Sequence, residues 1–183
     1  MKKFALLSVA LAAVVCLVVR AADSDVLKAG DPVGAFQVKD VTGPSAGKSL
    51  CYRCQYGARP VVTVFTRDVN DNVAKLVSEI DKVVEANKDK KMAAFVVVLA
   101  EDADKIAPQL EEMAKKNGIK NVPLTIFDGD AGPAEYKIGK DAATTVMTWN
   151  KMAVQTNVAL AKGELNDAKI KTLVANAGKL VAE

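Results

Sequence analysis

The sequence predicts an α/β fold in which a mixed β-sheet carries helices on both faces. Two apolar runs, residues 61–65 and 93–100, have the composition of buried strands, and each precedes a segment with apolar residues at helical spacing. Such strand–helix–strand steps favour parallel strands joined by right-handed crossovers. Two later strands joined at Asn150-Lys151 predict an antiparallel hairpin, and an amphipathic helix follows them.

The N-terminal half contains one strand before the central ones. Residues 36–41 alternate between apolar and polar, which predicts an edge strand that ends at Thr42-Gly43-Pro44. Residues 45–60 are rich in glycine and polar side chains, which predicts a loop or loose hairpin. After the strand at 61–65, the polar residues Asp68, Asn70 and Asp71 predict the start of a helix. Its apolar positions fall at helical spacing: Val73, Leu76, Val77, Ile80, Val83 and Val84.

The C-terminal half continues the same pattern. Gly118 predicts the end of the helix that follows the second buried strand, because glycine readily adopts the left-handed conformation at a helix terminus. Residues 122–127 predict a short third strand, and residues 134–139 a connector. The hairpin is predicted from residues 144–149 and 152–158. The last helix presents Leu165, Ile170, Leu173, Val174 and Leu180.

The N-terminus has the layout of a secretory signal peptide. Lys2 and Lys3 precede an apolar run at residues 4–19, and small residues follow it. We predict cleavage after Ala21, with cleavage after Ala22 as the alternative. The pattern therefore predicts an exported protein, periplasmic or extracellular, with residues 1–21 as its signal peptide.

Residues 22–183 have the length of one domain with a proper core. No apolar run in this part approaches the roughly 20 residues that span a bilayer, so no membrane association is expected after cleavage. A lipoprotein signal at Cys16 is disfavoured, because Val14-Val15 stands where a small residue should precede the lipidated cysteine.

The composition excludes several classes of function. The net charge of +3 comes from Lys2, Lys3 and Arg20, so residues 22–183 are neutral and give no reason to expect nucleic acid as a partner. The chain has no histidine, which excludes imidazole-based hydrolase triads and imidazole-ligated zinc or copper. Covalent haem attachment fails because Gln55, and not histidine, follows Cys54. We predict neither a cofactor nor a metal.

The candidate site is the pair Cys51 and Cys54, written Cys51-Tyr52-Arg53-Cys54. A structural disulfide between them would contribute only about 2 kcal/mol by loop entropy, because the loop that it closes is so short. Short strained bridges are also easier to reduce, which favours reversible exchange. Nearby cations, Arg53 above all, would favour a thiolate. Capture of Cu(I) by two thiolates, or of zinc with two further ligands, is the third interpretation.

The element order resembles the thioredoxin superfamily, in particular its redoxin and thiol-specific-antioxidant branch. The phrases Gly30-Asp31-Pro32-Val33 and Arg59-Pro60-Val61-Val62-Thr63-Val64-Phe65 carry the resemblance, which covers residues 29–181. It implies a thioredoxin-like mixed sheet with an N-terminal strand or hairpin extension and a C-terminal helix. It also implies thiol–disulfide exchange with protein thiols and disulfides as partners, Cys51 attacking and Cys54 resolving.

Two departures from the family pattern favour a different function. The redox cysteines of thioredoxins follow the first central strand, where this chain has Thr66-Arg67-Asp68-Val69-Asn70-Asp71. The family's cis-proline is absent from Ala143-Thr144-Thr145-Val146, although Val122-Pro123-Leu124 imitates the motif. The alternative is therefore a non-catalytic binding or scaffold protein in which Cys51–Cys54 is a structural disulfide.

Overall fold

The computed structural model describes residues 26–182, in which seven strands form one mixed sheet. The predicted signal peptide and Cys16 lie outside the described residues. The strands are β1 (Val38–Asp40), β2 (Ser49–Leu50), β3 (Val61–Thr66), β4 (Ala93–Ala100), β5 (Leu124–Asp128), β6 (Ala142–Asn150) and β7 (Ala153–Ala161). The helices are α1 (Tyr52–Tyr56), α2 (Asp71–Ala86), α3 (Ala103–Asn117) and α4 (Asp167–Lys179).

The strand order is β2-β1-β5-β4-β3-β6-β7. As predicted, β3 pairs with β4, and β4 with β5, in parallel, while the closing hairpin of β6 and β7 is antiparallel. Strands β3 and β4 are apolar almost throughout because both faces of a parallel sheet are covered. The two crossovers run in the same direction across the sheet, and their shared handedness places α2 and α3 on one face. Helix α4 packs into the same apolar layer.

The helix boundaries follow the signals in the sequence. The side chain of Asn70 accepts a hydrogen bond from the backbone N–H of Val73 at 3.0 Å and so caps α2. Gly118 ends α3 in the left-handed conformation, as predicted. Asp81 of α2 is buried, and its carboxylate accepts hydrogen bonds from the backbone N–H groups of residues 120–122. This bond set ties α2 to the loop that leads into β5.

The second face of the sheet is covered by shorter elements. Its apolar layer contains Leu27 and Phe36 of the N-terminal segment, Tyr52 of α1, and Tyr136 of a 3₁₀ turn at Ala134–Tyr136. Phe95 of β4 lies at the centre and contacts four other rings, those of Phe36, Tyr52, Tyr56 and Trp149. The prediction of a mixed sheet with helices on both faces is confirmed.

Two predictions for the N-terminal half are wrong in detail. The strand predicted at residues 36–41 is not an edge strand, because β1 lies between β5 and β2. The buried carboxylate of Asp40 accepts hydrogen bonds from the backbone N–H groups of Gly43 and Ser45, which turns the chain and brings β2 to the edge. The segment at residues 45–60 accordingly contains β2 and α1 in addition to loop.

Candidate functional site

Cys51 and Cys54 form a disulfide on the five-residue helix α1. Cys51 is the N-cap residue, and its Sγ accepts a hydrogen bond from the backbone N–H of Cys54 at 3.0 Å. Gly57 ends the helix, with its N–H bonded to the carbonyl of Arg53. One helical turn separates the two cysteines, and their Cα atoms are 5.2 Å apart, within the usual range for a disulfide.

The two cysteines differ in their access to solvent. Cys51 is 8% exposed, whereas Cys54 is an exposed residue. Exchange requires a thiolate to reach a disulfide sulfur directly. Cys54 is therefore the more accessible of the two to an external thiol, whereas the analogy with C-x-x-C enzymes predicts Cys51 as the attacking residue.

Tyr52, between the two cysteines, holds α1 against the rest of the fold. It is 2% exposed, and its hydroxyl donates to Asp40 Oδ2 at 2.8 Å. Its ring lies 5.3 Å from that of Tyr56 and 5.4 Å from that of Phe95, measured between centroids. Burial, and then the hydrogen bond to Asp40, raise the pKa of Tyr52, so the hydroxyl stays a donor.

Sequence reasoning missed the bond between Tyr52 and Asp40. The sequence did contain a signal for the turn, since an aspartate followed by Gly43-Pro44 is typical of side chain-to-backbone hydrogen bonding in turns. No pattern in the sequence indicates that a tyrosine twelve positions later also donates a hydrogen bond to the same carboxylate.

The cations predicted to act on the sulfurs have other contacts. Arg53 Nε donates to the carbonyl oxygen of Val33 at 2.9 Å. The guanidinium of Arg59 lies 6.0 Å from the ring centroid of Tyr56, a cation–π arrangement. Arg53 thus ties α1 to the N-terminal segment, a structural role that the sequence did not predict.

The disulfide lies before β3 in the chain, at the opposite end of this strand from the redox site of thioredoxins. At the carboxyl end of β3, the side chain of Arg67 donates to the carbonyl oxygens of three residues, Asp130, Gly139 and Ala142. Its backbone N–H donates to the carbonyl of Ala143. The usual location of the family's cysteines is therefore filled by an arginine that joins β3 to the loops around it.

The structure also shows whether a cis peptide bond precedes Pro123. Between residues 26 and 182 every peptide bond is trans, including the one before Pro123. Pro123 immediately precedes β5, which pairs in parallel with β4. The antiparallel partner of β3 is β6, and the residues of β6, Ala142–Asn150, contain no proline.

Neither a metal cluster nor a membrane helix is found in the described part of the chain. Within residues 26–182, no group of three or more histidine, cysteine, aspartate or glutamate residues could hold a metal ion. No helix in this range has the length and apolar character that a membrane crossing needs.

No protein-family model matches the sequence, and no curated protein matches it. Solved structures resemble it in fold. A Bacteroides thetaiotaomicron protein proposed to be a protein disulfide isomerase is 17% identical, with a TM-score of 0.64 over 86% of this chain and 92% of its own. A secreted disulfide oxidoreductase from Mycobacterium tuberculosis is 13% identical, with a TM-score of 0.55 over 77% and 95%. Peroxidoxin BcpB from the same organism is 16% identical, with a TM-score of 0.57 over 82% and 96%. The chain has the thioredoxin-like fold that its element order predicts.

Proposed function

We propose that the Cys51–Cys54 pair carries out thiol–disulfide exchange with cysteines of other proteins. The observation that carries the proposal is the exposed position of Cys54 in a disulfide on a one-turn helix. The names of the structural neighbours, a disulfide isomerase, a disulfide oxidoreductase and a peroxidoxin, are consistent with this chemistry. The similarity to these proteins is one of fold.

The exchange begins when a partner thiolate attacks Cys54 Sγ. A bond forms between the partner sulfur and Cys54, the Cys51–Cys54 bond breaks, and its electron pair leaves on Cys51 Sγ. A second partner thiolate then attacks the partner sulfur of this mixed disulfide and releases Cys54 as a thiolate. The partner dithiol is oxidised to a disulfide and the C-x-x-C pair is reduced by two electrons. The reverse sequence reduces a partner disulfide.

The structure offers one stabilising contact to the leaving sulfur. The backbone N–H of Cys54 donates to Cys51 Sγ, and hydrogen bonding to a charged form favours that form. A better-stabilised thiolate is a better leaving group. Cys51 is buried and its thiolate is stabilised by a hydrogen bond, so it suits the role of the leaving sulfur. Cys54 is exposed, so it suits the role of the attacked sulfur.

The first test is the reduction potential of the pair, measured by thiol trapping in glutathione buffers with Cys16→Ser in the full chain. We expect a value above about −250 mV, in the range of exchange-competent pairs. A value below about −300 mV is that of a structural disulfide and would overturn the proposal.

A matched pair of variants tests which sulfur is attacked. Cys51→Ser leaves only the exposed Cys54 in the site, and we expect it to form mixed disulfides with an activated aromatic disulfide reagent. Cys54→Ser leaves only the buried Cys51, and we expect its reaction to be at least about tenfold slower, since reactivity depends on access. Equal rates would contradict the assignment of Cys54.

A binding or scaffold protein is the second candidate function. It is favoured by the burial of Cys51, by the hydrogen bond that holds Tyr52, and by the position of the pair away from the usual redox site. In this case the disulfide only secures the segment before β3. A reduction potential in the range of structural disulfides, together with unchanged partner binding after reduction, would establish the binding or scaffold function.

We further propose that the protein is exported after cleavage behind Ala21, and that residues 22–183 form one thioredoxin-like domain. The support is the charged start, the apolar run and the small residues at the cleavage position. The intact mass of the protein recovered from a bacterial periplasm or culture medium tests this, and retention of residues 1–21 would contradict it.

A further inference from the structure

The carboxylate of Asp40 and the hydroxyl of Tyr52 form a buried pair next to the disulfide. Asp40 is 1% exposed and accepts three hydrogen bonds at 2.8 Å, from the backbone N–H groups of Gly43 and Ser45 and from Tyr52. The first two bonds close the turn between β1 and β2. The third reaches across to α1, so the carboxylate joins the hairpin to the helix that carries both cysteines.

We propose that Asp40 and Tyr52 are positioning residues that set the reduction potential of the Cys51–Cys54 pair by keeping α1 folded while the disulfide is open. The proposal rests on the exchange proposed above, because it concerns a pair that passes between oxidised and reduced forms. The hydrogen bonds of the two side chains go to each other and to the turn, and the bond to Cys51 Sγ comes from the backbone of Cys54. Both act through the position of the helix.

A five-residue helix does not hold its shape by itself, because the cost of starting a helix exceeds what one turn returns. In the oxidised protein the disulfide closes this turn. In the reduced protein the turn must be held by its side chains. Tyr52 is the buried one, held by the Asp40 bond and the Phe95 contact, and Arg53 adds its bond to Val33. With the anchor present, the two reduced sulfurs remain neighbours, which favours re-formation of their bond.

Gly43 shows how closely this pair is packed. A Cβ atom at Gly43 would lie 2.3 Å from the Tyr52 hydroxyl oxygen and 2.7 Å from both Asp40 carboxylate oxygens. Its φ is outside the left-handed region, so the requirement for glycine comes from this contact and not from the backbone conformation. Gly43→Ala therefore forces the Tyr52 hydroxyl, the Asp40 carboxylate or both to move, while both side chains remain.

Tyr52→Phe is the principal variant, since it keeps the ring and removes one oxygen. Without the bond to Asp40, the reduced helix gains freedom that the oxidised helix does not, so reduction becomes easier. We expect the equilibrium constant with glutathione to shift about threefold to tenfold toward the reduced form, the range expected for part of a hydrogen bond to a charged group. That is a rise of about 14 to 30 mV in the reduction potential. Gly43→Ala should shift it in the same direction.

Tyr136→Phe is the matched control. Tyr136 is also fully buried on the same face of the sheet, and its hydroxyl donates to the carbonyl of Gly34 at 2.9 Å. This variant should lose stability to a similar extent and keep the wild-type potential. A Tyr52→Phe potential equal to that of the wild type would mean that the bond stabilises both redox forms equally, and would overturn the proposal.

The outcome can be separated from that of the exchange proposal. A wild-type reduction potential in the range of structural disulfides would overturn the exchange proposal. The difference in reduction potential between the wild type and Tyr52→Phe decides whether Asp40 and Tyr52 are positioning residues. If the variants do not fold, amide hydrogen exchange of the wild-type protein can still show whether α1 stays folded after reduction. We expect the amide of Gln55, which donates to the Cys51 carbonyl, to stay protected after reduction. Loss of its protection would overturn the proposal.

Discussion

Opening the Cys51–Cys54 disulfide should destabilise the protein only slightly. The bridge closes a loop of four residues, for which the chain-entropy expression gives about 2 kcal/mol at 25 °C. For a chain of 183 residues, this corresponds to a fall of about 4 to 8 °C in Tm. By the same conversion, the folded pair should be about 43 mV more reducing than the same pair in the unfolded chain.

The assay is thermal unfolding of the Cys16→Ser protein, followed by far-UV circular dichroism with and without a phosphine reductant. A variant with alanine at both Cys51 and Cys54 is the control, and its Tm should not respond to the reductant. A fall of more than about 10 °C would show that the disulfide holds more of the fold than one turn. A rise in Tm would refute the loop-entropy account altogether.

Two further predictions concern the second face of the sheet. Phe95→Ala should lower the free energy of unfolding by about 3 to 5 kcal/mol, because a fully buried ring that contacts four others is removed. Denaturant unfolding measures this free energy. The control is Met152→Ala, at a residue that is 40% exposed, and it should change the free energy of unfolding by less than about 0.5 kcal/mol. Equal losses in the two variants would be inconsistent with the packing around Phe95. Burial raises the pKa of all three tyrosines above the ordinary 10.0, so their contribution to stability is complete below pH 10 and is lost as the pH rises further. Phenolate absorbance should therefore appear only together with alkaline unfolding, and an ionisation step near pH 10 in the folded protein would contradict the burial.

Most of the architecture could be predicted because its signals are local. The apolar runs at β3 and β4 and the helical periodicity of α2 and α3 depend only on neighbouring residues. A strand followed by a helix and a strand has few ways to pack, and this made the parallel pairing predictable. The elements that the sequence missed are short, β2 with two residues and α1 with five, and a periodicity cannot be recognised over so few positions.

The candidate site shows the same division. The sequence identified Cys51 and Cys54 as the candidate site, because only two of the three cysteines lie in the part predicted to be mature and no histidine is present. It also showed that they are displaced from the family's usual position. It could not show that Arg53 bonds to Val33, nor that Cys54 is more exposed than Cys51.

By itself, the sequence determined the types and order of the longer elements and identified the two cysteines of the candidate site, because each depends on composition and spacing along the chain. Tertiary structure alone decided how those sulfurs are presented. The contacts responsible join positions far apart in the chain, Tyr52 to Asp40 and Arg53 to Val33, and a hydrogen bond between distant residues leaves no periodic trace in sequence. The difference in exposure between Cys51 and Cys54 arises in the same way, because burial depends on what other segments pack against the helix.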